Sequence, residues 1–372
     1  MKGKAYFRTL AAGCIVCVGV VTAMTVITDP YVRFHMPNKA FVYQFENENT
    51  RLFAPGYAKQ ADFNAAIVGT SHSMNFDPLQ TEALWGVPTQ KLPLQGATVH
   101  ELRLLLDIAY DSGKQLDYVF CNIELDRQYN KVEWDYISEF NPGYNFDFDY
   151  LSQMRYLFNG DTFRNRVLPM WKKFLRGEKG YVPSKSFFGY TQHTLTMGPD
   201  AVLKDFAGKD MPVEEIFVNE VSESEIENVH EIVQKNYCEL IEAHPETEFY
   251  FYIPPYSIAW WGNSLMAGDM QYLQMTESVY IEELSQYDNV KISDFNTCHD
   301  WITDLNNYSD ITHYGEWINA DMMEAMYYGD CGIDLKNYQS ILSNRNDFVR
   351  NYDYDSLFDQ EDLPDPEPKY SE

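Results

Sequence analysis

The chain has 372 residues, with 28 Lys and Arg against 56 Asp and Glu, and a formal net charge of −28 at pH 7. A surface this acidic repels phosphate backbones and anionic lipid heads, which excludes nucleic acid as a partner. Hydrophobic residues at 45% suffice for a substantial core, in one large domain or two smaller ones.

The first 28 residues hold Lys2, Lys4 and Arg8 and no acid, and include an uncharged run of 18 residues from Leu10 to Ile27. That run is long enough for a short membrane span. With the basic residues on its N-terminal side, the positive-inside rule puts Met1 in the cytoplasm and everything after Asp29 outside. No small-x-small cleavage site follows Ile27, so residues 1–28 read as an uncleaved signal anchor of a single-pass cell-membrane protein. Cys14 lies inside the apolar run, which argues against lipidation. Setting aside the three basic residues of the anchor leaves the exported part at about −31.

After a connecting segment at 29–61, strand and helix signals alternate from Asp62 to about residue 350. Ala65 to Gly69 reads as a buried strand, and Thr89 to Leu94 as a short one that Pro93 restricts to an edge or an end. Val99 to Ser112 has helical apolar spacing and stops at Gly113. Tyr118 to Ile123 is a further strand. Later come a helix over Glu225 to Ala243, a strand over Phe249 to Ile253, a helix over Met270 to Tyr287, a strand over Val290 to Ser293 and a helix over Trp317 to Tyr328. This alternation predicts an α/β fold, a three-layer α/β/α sandwich around a mostly parallel sheet of about five strands. In such sheets ligands bind beyond the carboxyl ends of the strands.

The interval 127–224 breaks the rhythm and is dense in aromatics, among them Trp134, Tyr156, Trp171 and Phe174. It reads as an inserted subdomain whose aromatics build its own core, with stacking on sugar rings as the alternative. The acidic, Pro-containing tail at 351–372 is expected to be disordered beyond Asp359, with Tyr354 to Phe358 docking by its apolar residues. Beyond the anchor, Cys121, Cys238, Cys298 and Cys331 form no Cys-x-x-Cys pair that would announce zinc. Cys298 and Cys331 are either bridged or free thiols, and the sequence leaves both open.

Two motifs carry chemistry. The first strand ends in Gly69-Thr70-Ser71-His72-Ser73 and delivers a hydroxyl; far downstream lies Asp310-Ile311-Thr312-His313. A serine hydroxyl needs an imidazole to take its proton, and an Asp three residues before that His can hold the other ring nitrogen. Ser71, His313 and Asp310 are therefore the candidate nucleophile, base and orienting acid. His72 is the weaker base, because neighbours at a strand end point in opposite directions. Ser73 stands where an α/β-hydrolase would have the second Gly of Gly-x-Ser-x-Gly, which disfavours that fold. A metal site from His299, Asp300, Asp304, Asp310 and His313 matches no zinc spacing, so no metal is expected.

These blocks resemble those of the SGNH/GDSL-like hydrolases over roughly Asp62 to Tyr328, the insert excluded. Gly69-Thr70-Ser71 looks like the nucleophile block and Asp310-Ile311-Thr312-His313 like the Asp-x-x-His block. Leu94-Gln95-Gly96-Ala97 is similar to the block whose Gly donates a backbone N–H to the oxyanion. The resemblance implies a flavodoxin-like fold, Gly96 and Asn122 as oxyanion donors and no cofactor. In place of the family's Gly-x-Asn-Asp this chain has Cys121-Asn122-Ile123-Glu124-Leu125-Asp126, with Asn122 the only nearby Asn. The expected protein is an extracytoplasmic serine esterase or O-acyltransferase acting on an acylated glycan or cell-envelope polymer, with Tyr256, Trp260 and Trp261 at the substrate lip. The alternative is a catalytically weak binding or scaffold component of an envelope-polymer assembly.

Overall fold

The computed structural model describes residues 2–45, 50–129, 146–185, 196–206 and 218–363. The chain forms two compact units, one of Met1–Ala61 with Asp135–Ser184 and one of Asp62–Trp134 with Lys185–Glu372. The segment 29–61 is thus part of a folded unit that also takes the first half of the aromatic insert.

The smaller unit begins with α1 (Lys2–Thr28), which over Tyr6–Thr28 is long and apolar enough to cross a membrane. Its early turns are bare, with Ile15 72% exposed, whereas Thr25 and Thr28 are buried. Just past it, the Asp29 carboxylate accepts the N–H groups of Arg33, Phe34 and His35 and the Tyr156 hydroxyl at 2.8 Å. Tyr156 in turn packs against Tyr31 and Phe34, and Phe41 against Trp171 and Phe174. Tyr156 is thus buried against Tyr31 and Phe34, whereas Tyr150 and Phe158 of the insert are exposed. Trp134, Tyr136, Phe140 and Tyr144 lie outside the described residues.

The larger unit holds a five-stranded parallel sheet of β1 (Ala65–Gly69), β2 (Thr89–Pro93), β3 (Tyr118–Asn122), β4 (Glu248–Ile253) and β5 (Val290–Asp294), in the order β2-β1-β3-β4-β5. β2 is an edge strand closed by Pro93, as a residue without an N–H requires. The helices are α2 (Pro78–Trp85), α3 (Val99–Asp111), α4 (Glu223–Val233), α5 (Ile258–Ala267), α6 (Met270–Leu284), α7 (Glu316–Tyr328) and α8 (Tyr338–Asn351). Because the chain first steps to one side of β1 and then to the other, right-handed crossovers place helices on both faces. On one face Trp85 of α2 meets Phe120, Tyr250 and Tyr327. On the opposite face Tyr237 packs on Phe251 and beside Tyr280 of α6. The helix expected over Glu225 to Ala243 passes through a π turn at Gln234–Cys238.

Beyond β5, the buried Arg345 of α8 binds Glu277 at 2.5 Å and Asp294 at 3.1 Å. One guanidinium does not neutralise two buried carboxylates. Burial pushes Glu277 up to about 7 against the pull of Arg345, and Asp294 adds to the rise. Tyr354 and Leu357 of the C-terminal segment are buried, while residues 364–372 lie outside the described residues. The Cys298 and Cys331 sulfurs are unbonded, 3.2 Å apart.

Two outcomes follow from this packing. Arg345→Met strands two buried acids and is expected to cost about 3–5 kcal/mol in denaturant unfolding; a loss below about 1 kcal/mol would show the cluster is not charged. Oxidised glutathione should close Cys298 to Cys331, seen as loss of two hydrogens by intact mass and of alkylation at both positions.

Candidate active site

The site grows from the carboxyl ends of β1, β3 and β4. After β1, Gly69 adopts φ +155, and a Cβ there would lie 2.2 Å from Asn122 Oδ1 and 2.9 Å from Ser73 Cβ. Only a glycine lets the Asn122 side chain reach across to accept the Thr70 N–H at 3.0 Å. The chain then turns sharply through Ser71–Ser73, with Ser73 Oγ donating to the Thr70 carbonyl at 2.8 Å. That leaves Ser73 occupied within the turn. Ser71 sits at the turn's outer edge, half-buried.

His313 comes from the loop between the 3-10 turn Leu305–Asn307 and α7. Asp310 organises that loop: its Oδ1 accepts the N–H groups of Thr312 and His313, both at 2.8 Å. Its Oδ2 lies 2.7 Å from His313 Nδ1, and His313 Nε2 lies 2.8 Å from Ser71 Oγ. These partners select the tautomer with a proton on Nδ1, leaving the Nε2 lone pair for the serine hydroxyl. Burial alone would raise the Asp310 carboxyl, but the hydrogen bond and charge of His313, with the two backbone N–H groups, hold it well below the usual carboxylate range. The arrangement is chemically competent to draw a proton from a serine as it attacks.

His72 plays no such part. Its Nδ1 lies 2.8 Å from Glu124 Oε1 and its Nε2 3.2 Å from the Thr312 carbonyl oxygen. Both neighbours are acceptors, an arrangement that favours protons on both ring nitrogens and so the imidazolium form. Burial works against that charge, yet Glu124 raises His72 above its ordinary value. Burial likewise works against the Glu124 carboxylate, but His72, with donated hydrogen bonds from Thr70 and Tyr256, holds it down at about 2. The His72 ring stacks beside His313 and Tyr314, with centroids 5.5 and 5.6 Å away. Its carbonyl accepts from Asn319 at 3.0 Å.

The remaining expected residues occupy defined places. Gly96, at φ +59, follows β2 in a turn tied to β1 by the Leu94 N–H donating to the Gly69 carbonyl at 2.8 Å. The Asn122 amide donates to Thr70 Oγ1 at 3.1 Å and to Glu124 Oε1 at 2.6 Å. The Asn122 amide is thus engaged with Thr70 and Glu124, behind the strand end that carries Ser71. Tyr256 and Trp260, expected at a lip, are buried and stacked 4.1 Å apart, with the Tyr256 hydroxyl donating to Glu124 at 2.6 Å. Trp261 is fully buried and donates to Asn296 Oδ1 at 3.0 Å. Of the weighed metal set, His299 stacks on Phe348 and Asp304 caps its own turn. No group of three His, Cys, Asp or Glu side chains among the described residues could hold a metal ion.

Sequence reasoning missed Glu124 and the role of His72. The available signal was one acid in the otherwise uncharged run from Val119 to Leu125 at the end of a buried strand, a position where charge survives only if paired.

No family model matches the chain, and no curated protein does. Among solved structures it is similar to one from Streptococcus pneumonia described as a candidate platelet activating factor, with a TM-score of 0.35 and 14% identity over 76% of this chain and 91% of that one. A likeness at this level bears on neither activity nor substrate.

The buried pair makes stability pH-dependent in a defined way. His72 is raised, so its contribution is complete below its unfolded value of about 6.5 and is lost as pH rises through the folded value. Glu124 is depressed, so its contribution is complete above about 4.5 and is lost as pH falls through about 2. The stability gap between the parent and Glu124→Gln, read by urea unfolding, should therefore be widest near about pH 5–6 and shrink under alkaline conditions. A gap that widens with rising pH would exclude the charged pair.

Proposed function

We propose that this protein is a serine hydrolase or acyltransferase working through a covalent acyl-enzyme. The observation that carries this reading is the continuous relay from Ser71 Oγ to His313 Nε2 at 2.8 Å and from His313 Nδ1 to Asp310 Oδ2 at 2.7 Å. As Ser71 Oγ bonds to the ester carbonyl carbon, its proton passes to His313 Nε2. The resulting imidazolium is stabilised by Asp310, and the backbone N–H groups of Ser71 and Gly96 are the donors assigned to the oxyanion. When the tetrahedral intermediate collapses, the carbonyl re-forms, the ester C–O bond breaks and His313 returns the proton to the leaving alcohol. Water or an acceptor hydroxyl then attacks the acyl carbon, losing its proton to His313; the acyl C–Oγ bond breaks and His313 returns that proton to Ser71 Oγ.

The substrate we assign is an acyl ester on a glycan or cell-envelope polymer. Support for that location is the N-terminal helix, apolar over Tyr6–Thr28, with its basic residues at the amino end. A second reading, a binding or scaffold component with weak turnover, is favoured by the commitment of both Asn122 amide donors to Thr70 and Glu124.

A fluorophosphonate probe on the full chain should label Ser71, and Ser71→Ala should abolish labelling; equal labelling of the variant would overturn the assignment. On a panel of acetylated and aminoacylated glycans, His313→Ala should lower kcat on the order of a thousandfold. Glycan binding that survives Ser71→Ala, with no ester cleaved by the parent, would favour the scaffold reading.

A further inference from the structure

The average charge hides a reversal. Between Tyr150 and Lys179 the sequence carries seven Lys and Arg against two acids, in a chain of net charge −28. This stretch folds as helices Tyr150–Leu157 and Leu168–Leu175, joined by turns at 160–167, and it packs on the last turns of α1. Trp171 Nε1 donates to the Met24 carbonyl at 3.2 Å, which ties the stretch to the end of the apolar span. Several of its apolar side chains remain outside, with Tyr150 78%, Leu151 56% and Leu175 76% exposed.

Next to this junction lies a small cleft of about 40 Å³, entirely within the smaller unit. Pro30 and Tyr31, the first residues past the span, form one wall together with Tyr43 and Phe45; Met170 lines the other, along with the two cations Arg166 and Lys173. A cleft that sets two cations, with Gln44 and Asn165, among apolar side chains beside the end of an apolar span fits one ligand chemistry. That chemistry is a phosphodiester with a hydrocarbon continuation.

We propose that the mouth of this cleft binds the headgroup phosphate of an anionic phospholipid from the leaflet facing the smaller unit. Arg166 and Lys173 meet the phosphate, and the exposed Tyr150, Leu151 and Leu175 rest in the interfacial region beside it. The bound lipid fixes how the smaller unit rides on the membrane. The proposal rests on α1 crossing a bilayer and is independent of any reaction at Ser71. A soluble anionic polymer is the competing partner, but it gives no reason for exposed apolar side chains beside the cations or for the continuity with α1.

The test uses the full chain in non-ionic detergent, titrated with phosphatidylglycerol, phosphatidylcholine or glycerol phosphate and read by native mass spectrometry. Phosphatidylglycerol should be retained at least about tenfold more tightly than phosphatidylcholine, a difference of about 1.4 kcal/mol. The double variant Arg166→Gln, Lys173→Gln should lose that preference. Lys173→Arg, which keeps the charge, and Lys172→Gln, which alters an exposed lysine outside the cleft, should retain it. Equal retention of the two lipids by the parent overturns the proposal without relying on any variant. So does an undiminished preference in a double variant that melts with the parent, and glycerol phosphate binding as tightly as the lipid shows an anion site that is not a lipid site.

Discussion

The buried pair of His72 and Glu124 is the interaction on which the arrangement around Ser71 depends. Glu124, 4% exposed, collects the Asn122 amide, the Thr70 hydroxyl, the Tyr256 hydroxyl and His72. Those partners come from the ends of β1, β3 and β4, so a single carboxylate joins three strand ends. His72 then donates to the Thr312 carbonyl, the residue before His313. Two charges in a low-dielectric interior persist only when every lone pair and proton is met, and that requirement fixes the mutual position of the serine turn and the histidine loop.

The network continues outward from Tyr256. Its backbone N–H donates to Asn296 Oδ1 at 3.0 Å, which also takes the Trp261 indole, and Asn296 is held by Asp294. Asp294 ends β5 and meets Arg345 from α8. Ser257 anchors the histidine loop separately, its hydroxyl donating to the Ile311 carbonyl at 2.6 Å. The polar groups named here pair largely with one another, although Arg345 Nε and Asn319 Oδ1 are buried without a hydrogen-bond partner, and Ser71 and His313 stay half-buried.

Much of the larger unit was legible because its signals are local. Apolar runs of five or six residues ended by Gly or Pro marked β1 and β4, and helical spacing stopped by Gly113 marked α3. The serine after β1 and the Asp-x-x-His stood out for a similar reason, since each is a short motif at the end of an element. Less legible was anything set by partners distant in sequence. Asn122 read as an oxyanion donor by its place in a motif, but its amide turns to Thr70 and Glu124, and only the closeness of β1 and β3 produces that choice. Tyr256 and Trp260 read as lip residues by their place after β4, yet they stack inside the fold. In the smaller unit, 29–45 read as a connector because its apolar residues have no period of their own; their partners lie more than a hundred residues on, at Tyr156 and Trp171.

By itself the sequence determined the strand and helix order, the parallel sheet, the apolar N-terminal helix and the candidate serine and Asp-x-x-His motifs, because these depend on neighbours within a turn or a strand. Only the tertiary structure decided that Ser71 and His313, 242 residues apart, lie within a hydrogen bond, that His72 is paired with Glu124, and that Trp171 of a cation-rich stretch is tied to the end of α1. Charge state and hydrogen-bond direction follow from which groups burial brings together, and periodicity along the chain carries no record of that.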